Sequence, residues 1–177
     1  MTLALTPALP PGRAGDLVAA LQLAPHPEGG WYREHFRSGQ MAANAGGRGP
    51  RAALTSIDFL LAAGERSAWH RVASDEAWHL HEGGPLRLWL LPPDLSRIDL
   101  VSLGPLDLAG TNPGQRPRHV VPAFWWQAAE PAPGAAHALV GATVGPGFDF
   151  ADFSFGRDHP ALVQALAALQ SDTARLL

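Results

Sequence analysis

Gly64-Glu-Arg-Ser-Ala-Trp-His70-Arg-Val72-Ala-Ser-Asp-Glu76-Ala-Trp-His-Leu-His-Glu-Gly83 is the stretch on which the fold turns. A glycine stands at each end, and Ala73-Ser-Asp75 breaks the middle. Ser67 to Val72 and Glu76 to His81, separated by that break, read as short strands. Strand alternation puts Glu76, Trp78 and Leu80 on one face and His79 and His81 on the other.

The same pattern continues outward in both directions. Upstream, Trp31 to Arg37 and Ala53 to Ala62 are strands, with a Gly- and Ala-rich loop from Ser38 to Pro50 between them. Alternation places Trp31, Arg33, His35 and Arg37 on one face of the first, and Tyr32, Glu34 and Phe36 on the other. Downstream come Leu86 to Leu91, Ile98 to Leu103, His119 to Val121, Phe124 to Ala129, Ala138 to Val144 and Phe150 to Phe155. Asp16 to Leu23 is a short amphipathic helix, with Leu17, Ala20 and Leu21 at helical spacing. Pro160 to Leu177 is alanine-rich and amphipathic, and predicts a C-terminal helix. Many short strands at close spacing, with a helix at each end, predict an antiparallel all-β barrel or sandwich. Residues 1–12 read as a flexible tail and 13–177 as one domain, its barrel at about 31–155 and its last helix at about 160–175.

Composition agrees. Gly 19 and Pro 17 are enough turn residues for many short strands. Hydrophobic residues at 46% against 16% charged describe a chain with a core rather than a disordered one. The net charge of −3, with no basic run, argues against nucleic acid as a partner. No apolar run is long enough to span a membrane, and Met1 to Gly12 lacks the basic start of a signal peptide. With no cysteine, disulfides, thiolate metal sites and cysteine nucleophiles are excluded. A cytoplasmic location is the expectation.

Gly64, His70, Glu76 and Gly83 stand at the spacing of the first cupin motif, which the stretch resembles, with Val72 where that motif has its second histidine. Pro122-Ala-Phe-Trp-Trp-Gln127 resembles the second motif, with Phe124 in place of its glycine and Gln127 in place of its histidine. Three further segments are similar to the fifth cupin family, small single-barrel proteins labelled a domain of unknown function. These are Pro25-His-Pro-Glu-Gly-Gly30, Ser74-Asp-Glu-Ala-Trp-His79 and Val144-Gly-Pro-Gly-Phe-Asp-Phe150-Ala-Asp-Phe153. The resemblance runs from about Leu21 to Phe155 and implies a double-stranded β-helix, the cupin jelly roll, and a homodimer.

It also implies where chemistry would sit. A full cupin site offers three imidazoles and a carboxylate to a divalent ion. Here the matching positions leave His70, Glu76 and Gln127, a poor transition-metal set. No cofactor is expected; a divalent metal on those three residues is the alternative. His70 held by Glu76 in a dry pocket is a competent proton shuttle, with Tyr32 as an opposing acid. Gln127, Trp78 and Trp125 are expected to line the pocket, and His26 and Glu28 to close its mouth. Each has a plainer reading. His70 and Glu76 would satisfy each other as buried polar groups, Tyr32 and the tryptophans would be packing, and residues 25–30 a structural turn. The expected function is binding of a small polar ligand, sugar-like or carboxylate, with epimerase or isomerase chemistry. A non-catalytic binding barrel and a metal-dependent, oxygenase-like cupin are the alternatives.

Overall fold

The structure is a computed structural model that describes residues 8–43, 47–112 and 114–177; residues 1–7 of the expected tail lie outside the described residues. Helix α1 (Arg13–Leu21) leads into β1 (Ala24–Pro25), β2 (Trp31–Arg37), β3 (Met41–Ala42), β4 (Arg51–Ala52), β5 (Thr55–Ala62) and β6 (Ser67–Val72). Then follow β7 (Asp75–Gly83), β8 (Leu86–Leu91), β9 (Asp99–Leu103), β10 (Arg118–Val121), β11 (Trp126–Pro131), β12 (His137–Gly145) and β13 (Phe153–Phe155). Helix α2 (Pro160–Leu169) and a 3-10 turn at Ser171–Leu176 end the chain. No helix among the described residues is long and apolar enough to cross a membrane.

Two antiparallel sheets face each other as a jelly roll. One has the order β1-β2-β5-β12-β7-β10, the other β13-β6-β11-β8-β9. Alternation along each strand divides the side chains between the inside of the barrel and two outer faces. Phe59 and Leu61 of β5, Trp78 of β7, Leu86, Leu88 and Leu90 of β8, and Val140 of β12 pack together inside. The odd partners of these strands point outward and are covered by helices. Helix α1 lays Leu17 and Val18 on Leu60, Leu139 and Trp31. Helix α2 and the last turn bring Leu162, Leu166 and Leu176 onto Trp69, Trp89 and Trp126. A tryptophan ring buried this way contributes on the order of 4 kcal/mol from area alone. Trp69 also donates its indole N–H to the Thr173 carbonyl at 2.9 Å.

Several segments differ from the sequence expectation, among them the C-terminal helix, which ends at Leu169 and gives way to a 3-10 turn at Ser171–Leu176. The loop 38–50 contains β3, which pairs with β4. The expected strand at Phe150 begins as a 3-10 turn, because Asp149 accepts the Ala151 N–H at its start and tightens the backbone. The expected strand at Phe124 begins at Trp126, because Phe124 has φ +67° and turns the chain.

Candidate functional site

The apolar core fills one end of the barrel and leaves the other open as a cavity of about 460 Å³. Strand β2 contributes Tyr32, Glu34 and Arg37 to its wall, β5 Thr55 and Ile57, β6 His70 and Val72, β7 Glu76, and β12 Ala142 and Val144. The turn after β1 adds His26 and Glu28, and the segment before β13 adds Phe148, Asp149, Phe150 and, at β13 itself, Phe153.

Arg37 reaches this wall because of a bulge. The pairing of β2 with β5 slips between Glu34 and Phe36, so His35 is an extra residue. Strict alternation had put Arg37 opposite Tyr32 and Glu34; the slip carries it to their face. There Arg37 donates from Nε and Nη2 to Glu34 at 2.9 and 2.6 Å, and from Nη1 to the Phe148 carbonyl at 3.1 Å.

The turn at 25–30 enters the cavity because two glycines let it. Gly29 has φ +109° and its backbone lies against the Arg66 carbonyl, where any Cβ would overlap the oxygen. The Ala68 N–H then donates to the Glu28 carbonyl at 2.8 Å, which ties the turn to β6. The result is a Glu28 side chain packed beside His70, with its Oε2 3.3 Å from His70 Nε2. Its Oε1 accepts the Ser67 hydroxyl at 2.9 Å.

Hydrogen-bond logic fixes every proton donor around Gln127. The indole N–H of Trp78 can only donate, so Gln127 turns its oxygen to it, at 3.0 Å. The amide NH2 therefore faces the other way. It donates to Glu76 Oε2 at 2.5 Å and to His70 Nε2 at 3.1 Å. His70 Nδ1 lies 2.8 Å from the Ala68 carbonyl, which can only accept, so Nδ1 carries the proton and Nε2 is bare. Its lone pair is shared between the Gln127 amide and Glu28. Glu76 Oε1 accepts nothing from any described residue, and Glu76 lines the cavity.

Burial dominates the titration of the four groups. It pushes Glu28 up to about 8, against a smaller opposing pull from the Ser67 hydroxyl. It pushes Glu76 up to about 7, with Glu28 adding repulsion while His70 and the Gln127 amide pull the other way. Burial lowers His26 to about 4, helped by His70. Burial also lowers His70, although Glu76 and the Ala68 carbonyl oppose it. Near neutral pH the site holds two uncharged imidazoles and two carboxyls that each keep much of their proton.

Of the residues singled out in the sequence, His70, Glu76, Tyr32, His26 and Glu28 line the cavity. Gln127 and Trp78 sit immediately behind it, fully buried and bonded to each other. Tyr32 packs edge-on to His26 at 4.5 Å between ring centres. Trp125 is not among the lining residues. Because β11 starts two residues later than expected, at Trp126, the Trp125 ring packs partly buried on the apolar core, with Arg97 5.7 Å from its centre. Ser67, Glu34, Arg37 and the Phe148, Phe150, Phe153 group were not singled out as site residues. The last three lie in the Gly145-Pro-Gly147 region that carried part of the resemblance.

The class these features define is a cupin barrel with a buried, hydrogen-bonded chain of Glu28, His70, Gln127 and Glu76 at its open end. The chain belongs to the family described as Cupin superfamily (DUF985), which it matches over residues 15–156. A protein of Leishmania major described as hypothetical is similar at 30% identity and TM-score 0.76, over 93% of this chain and 97% of that one. A Shewanella oneidensis protein is similar at 33% identity and TM-score 0.74, over 94% and 95%. A variant of Bacillus subtilis oxalate decarboxylase shares the fold at 14% identity and TM-score 0.52, over 86% of this chain and 37% of that one. No curated protein matches the chain.

A divalent metal, which complete cupin motifs imply, does not fit this donor set. Val72 brings no donor, and the Gln127 amide aims N–H groups, not its oxygen, toward His70 and Glu76. N–H groups repel a cation. Among the described residues, no three His, Asp or Glu side chains group as a metal-ion site.

Proposed function

We propose that this cupin binds a small polar organic molecule in its cavity and performs acid/base chemistry on it, of the isomerase or epimerase type. The observation that carries the reading is the buried chain Glu28–His70–Gln127–Glu76, ending on a carboxyl oxygen that no described side chain or backbone group uses. A group titrating near neutrality is the most effective proton carrier at neutral pH. Glu76 Oε1 is the atom placed to take or give a proton to a ligand. Gln127 holds the other oxygen still, and Glu28 and His70 form a proton reservoir behind it. Tyr32 on β2, whose hydroxyl no described residue engages, is the acid on another wall.

A second reading, binding without turnover, is favoured by one observation. The bare His70 nitrogen is already occupied by Gln127 and Glu28, so it accepts a ligand proton only if they let go. Exchange separates the two. A metabolite mixture is screened by thermal shift, and each binder is incubated with the protein in D2O and followed by NMR. Deuterium entering a C–H of a binder supports catalysis, and its absence with every binder supports binding alone. Glu76→Gln is expected to abolish exchange without loss of stability at neutral pH, since an amide oxygen still accepts the Gln127 N–H and an amide does not ionise. Full exchange in Glu76→Gln would remove Glu76 from the mechanism. Failure of every compound to shift the melting temperature would sink the small-molecule reading.

A further inference from the structure

Resting on that reading of the cavity as a small-molecule site, we propose that its ligand carries a protonated nitrogen: an organic ammonium group on a largely apolar or aromatic body. The charges on the wall lead there one pair at a time. Glu34 is taken by Arg37 through two hydrogen bonds. Asp149 lies 3.9 Å from Arg51, which also holds Asp152. What remains is Glu28 and Glu76, buried to 9% and 7% exposure, with no ion pair to a lysine or arginine among the described residues. Their nearest ring nitrogens are His26 Nδ1 at 3.6 Å and His70 Nε2 at 3.3 Å from Glu28. Neither nitrogen carries a proton. His26 Nδ1 accepts the Glu28 backbone N–H at 3.3 Å, and His70 Nε2 accepts the Gln127 amide.

With no cation beside them among the described residues, these two buried carboxyls ionise only when one is supplied, because buried charges persist only when paired. Glu76 lines the cavity and one of its oxygens is used by no described residue, so the missing partner has a place to arrive from. The opposite charge is excluded: an anion would meet two carboxyls, neutral imidazoles and a guanidinium already committed to Glu34. The remaining wall suits an organic cation. Tyr32, Phe148, Phe150 and Phe153 supply rings, and Ile57, Val72, Ala142 and Val144 supply apolar surface. Aromatic faces attract ammonium groups and apolar bodies alike.

Binding of a cation would favour the ionised carboxyls and release protons. The groups facing them are His26, Ser67 and His70 around Glu28, and His70, Gln127 and Glu28 around Glu76. Tyr32, Glu34 and Arg37 face the cavity from β2, and Asp149 from the segment before β13. With the imidazoles already neutral, the carboxyls are the source of the protons.

Calorimetry on the full chain tests this with three compounds of one shape: 2-phenylethylammonium, 2-phenylethanol and phenylacetate. Titrations are run at about pH 6.5 and 8, in two buffers of different ionisation enthalpy. The ammonium is expected to bind at least roughly tenfold tighter than either analogue, with protons released and affinity several-fold higher at the upper pH. Glu28→Gln and Glu76→Gln, each checked for folding by near-ultraviolet circular dichroism, should each weaken it and reduce the protons released. Phenylacetate or the alcohol binding as tightly as the ammonium would overturn the ammonium assignment and leave the small-molecule reading standing. Ammonium binding without proton release, or untouched by both variants, would overturn it too. So would binding of none of the three, whereas the small-molecule reading itself falls only if the metabolite screen also fails.

Discussion

Replacing Gln127 with methionine is expected to lower stability by about 4 kcal/mol, although the side chain keeps its length and gains apolar surface. Gln127 has no solvent exposure and makes three hydrogen bonds with three different side chains. Methionine leaves the Trp78 indole N–H without an acceptor, and takes the amide donor from His70 Nε2 and Glu76 Oε2. Each stranded buried group costs about 1–3 kcal/mol, and the donor–acceptor pairs cannot find each other across the gap. For a chain of this size the loss corresponds to roughly 10 °C in melting temperature. Urea unfolding of the variant beside the exposed control Gln40→Met, expected within about 0.5 kcal/mol of the parent, measures it. The Gln127 amide also pulls the Glu76 pKa down, so in Gln127→Met that carboxyl should titrate higher by carbon-13 NMR. A loss under about 1 kcal/mol with Glu76 unmoved would mean that the chain through Gln127 does not hold the site together.

That residue also shows how far the sequence could be read. The ligand positions matched by the cupin motifs brought His70, Glu76 and Gln127 to one place though Gln127 lies far away along the chain, and all three meet within hydrogen-bond distance or one residue of it. Alternation placed Trp78 beside them for an independent reason. Both inferences rest on regular strands, where a period of two carries position reliably. They fail where the strand is irregular. The bulge at His35 moved Arg37 to the other face, and the positive φ of Phe124 set the start of β11 at Trp126, which left Trp125 outside the wall. Nothing in the local residue types marks either irregularity, since both follow from how neighbouring strands must register. The role of Glu28 was hidden differently. Its two glycines signal a turn, but that the turn folds back against β6 is decided by the Arg66 and Ala68 backbone, which no pattern within residues 25–30 contains. Carboxyls without a counter-cation become visible only when the partners on every wall are known.

Those carboxyls should make the ligand-free protein lose stability as the solution becomes alkaline, on the order of 3 kcal/mol between about pH 6 and 8.5. Glu28 and Glu76 have folded pKa values raised to about 8 and about 7. In the unfolded chain both are ordinary carboxyls and have lost their protons by pH 6. The folded state therefore binds more protons than the unfolded state across this window, and stability falls as pH rises through the folded values. The histidines act in the opposite sense and elsewhere. His26, lowered to about 4, binds a proton more readily when unfolded, so its contribution makes stability grow from about pH 4 to 6.5 and is level above that. His70, lowered for the same reason, adds to that rise. Together they offset the carboxyls in acid and leave the carboxyl slope uncovered above about pH 6.5. Urea unfolding at half-unit intervals reads the slope directly. Glu28→Gln should flatten it most, because Glu28 retains its proton to the higher pH. Stability that is level or rising from about pH 6.5 to 8 would mean that both carboxyls are ionised in the folded protein, and that a cation inside the barrel already balances them.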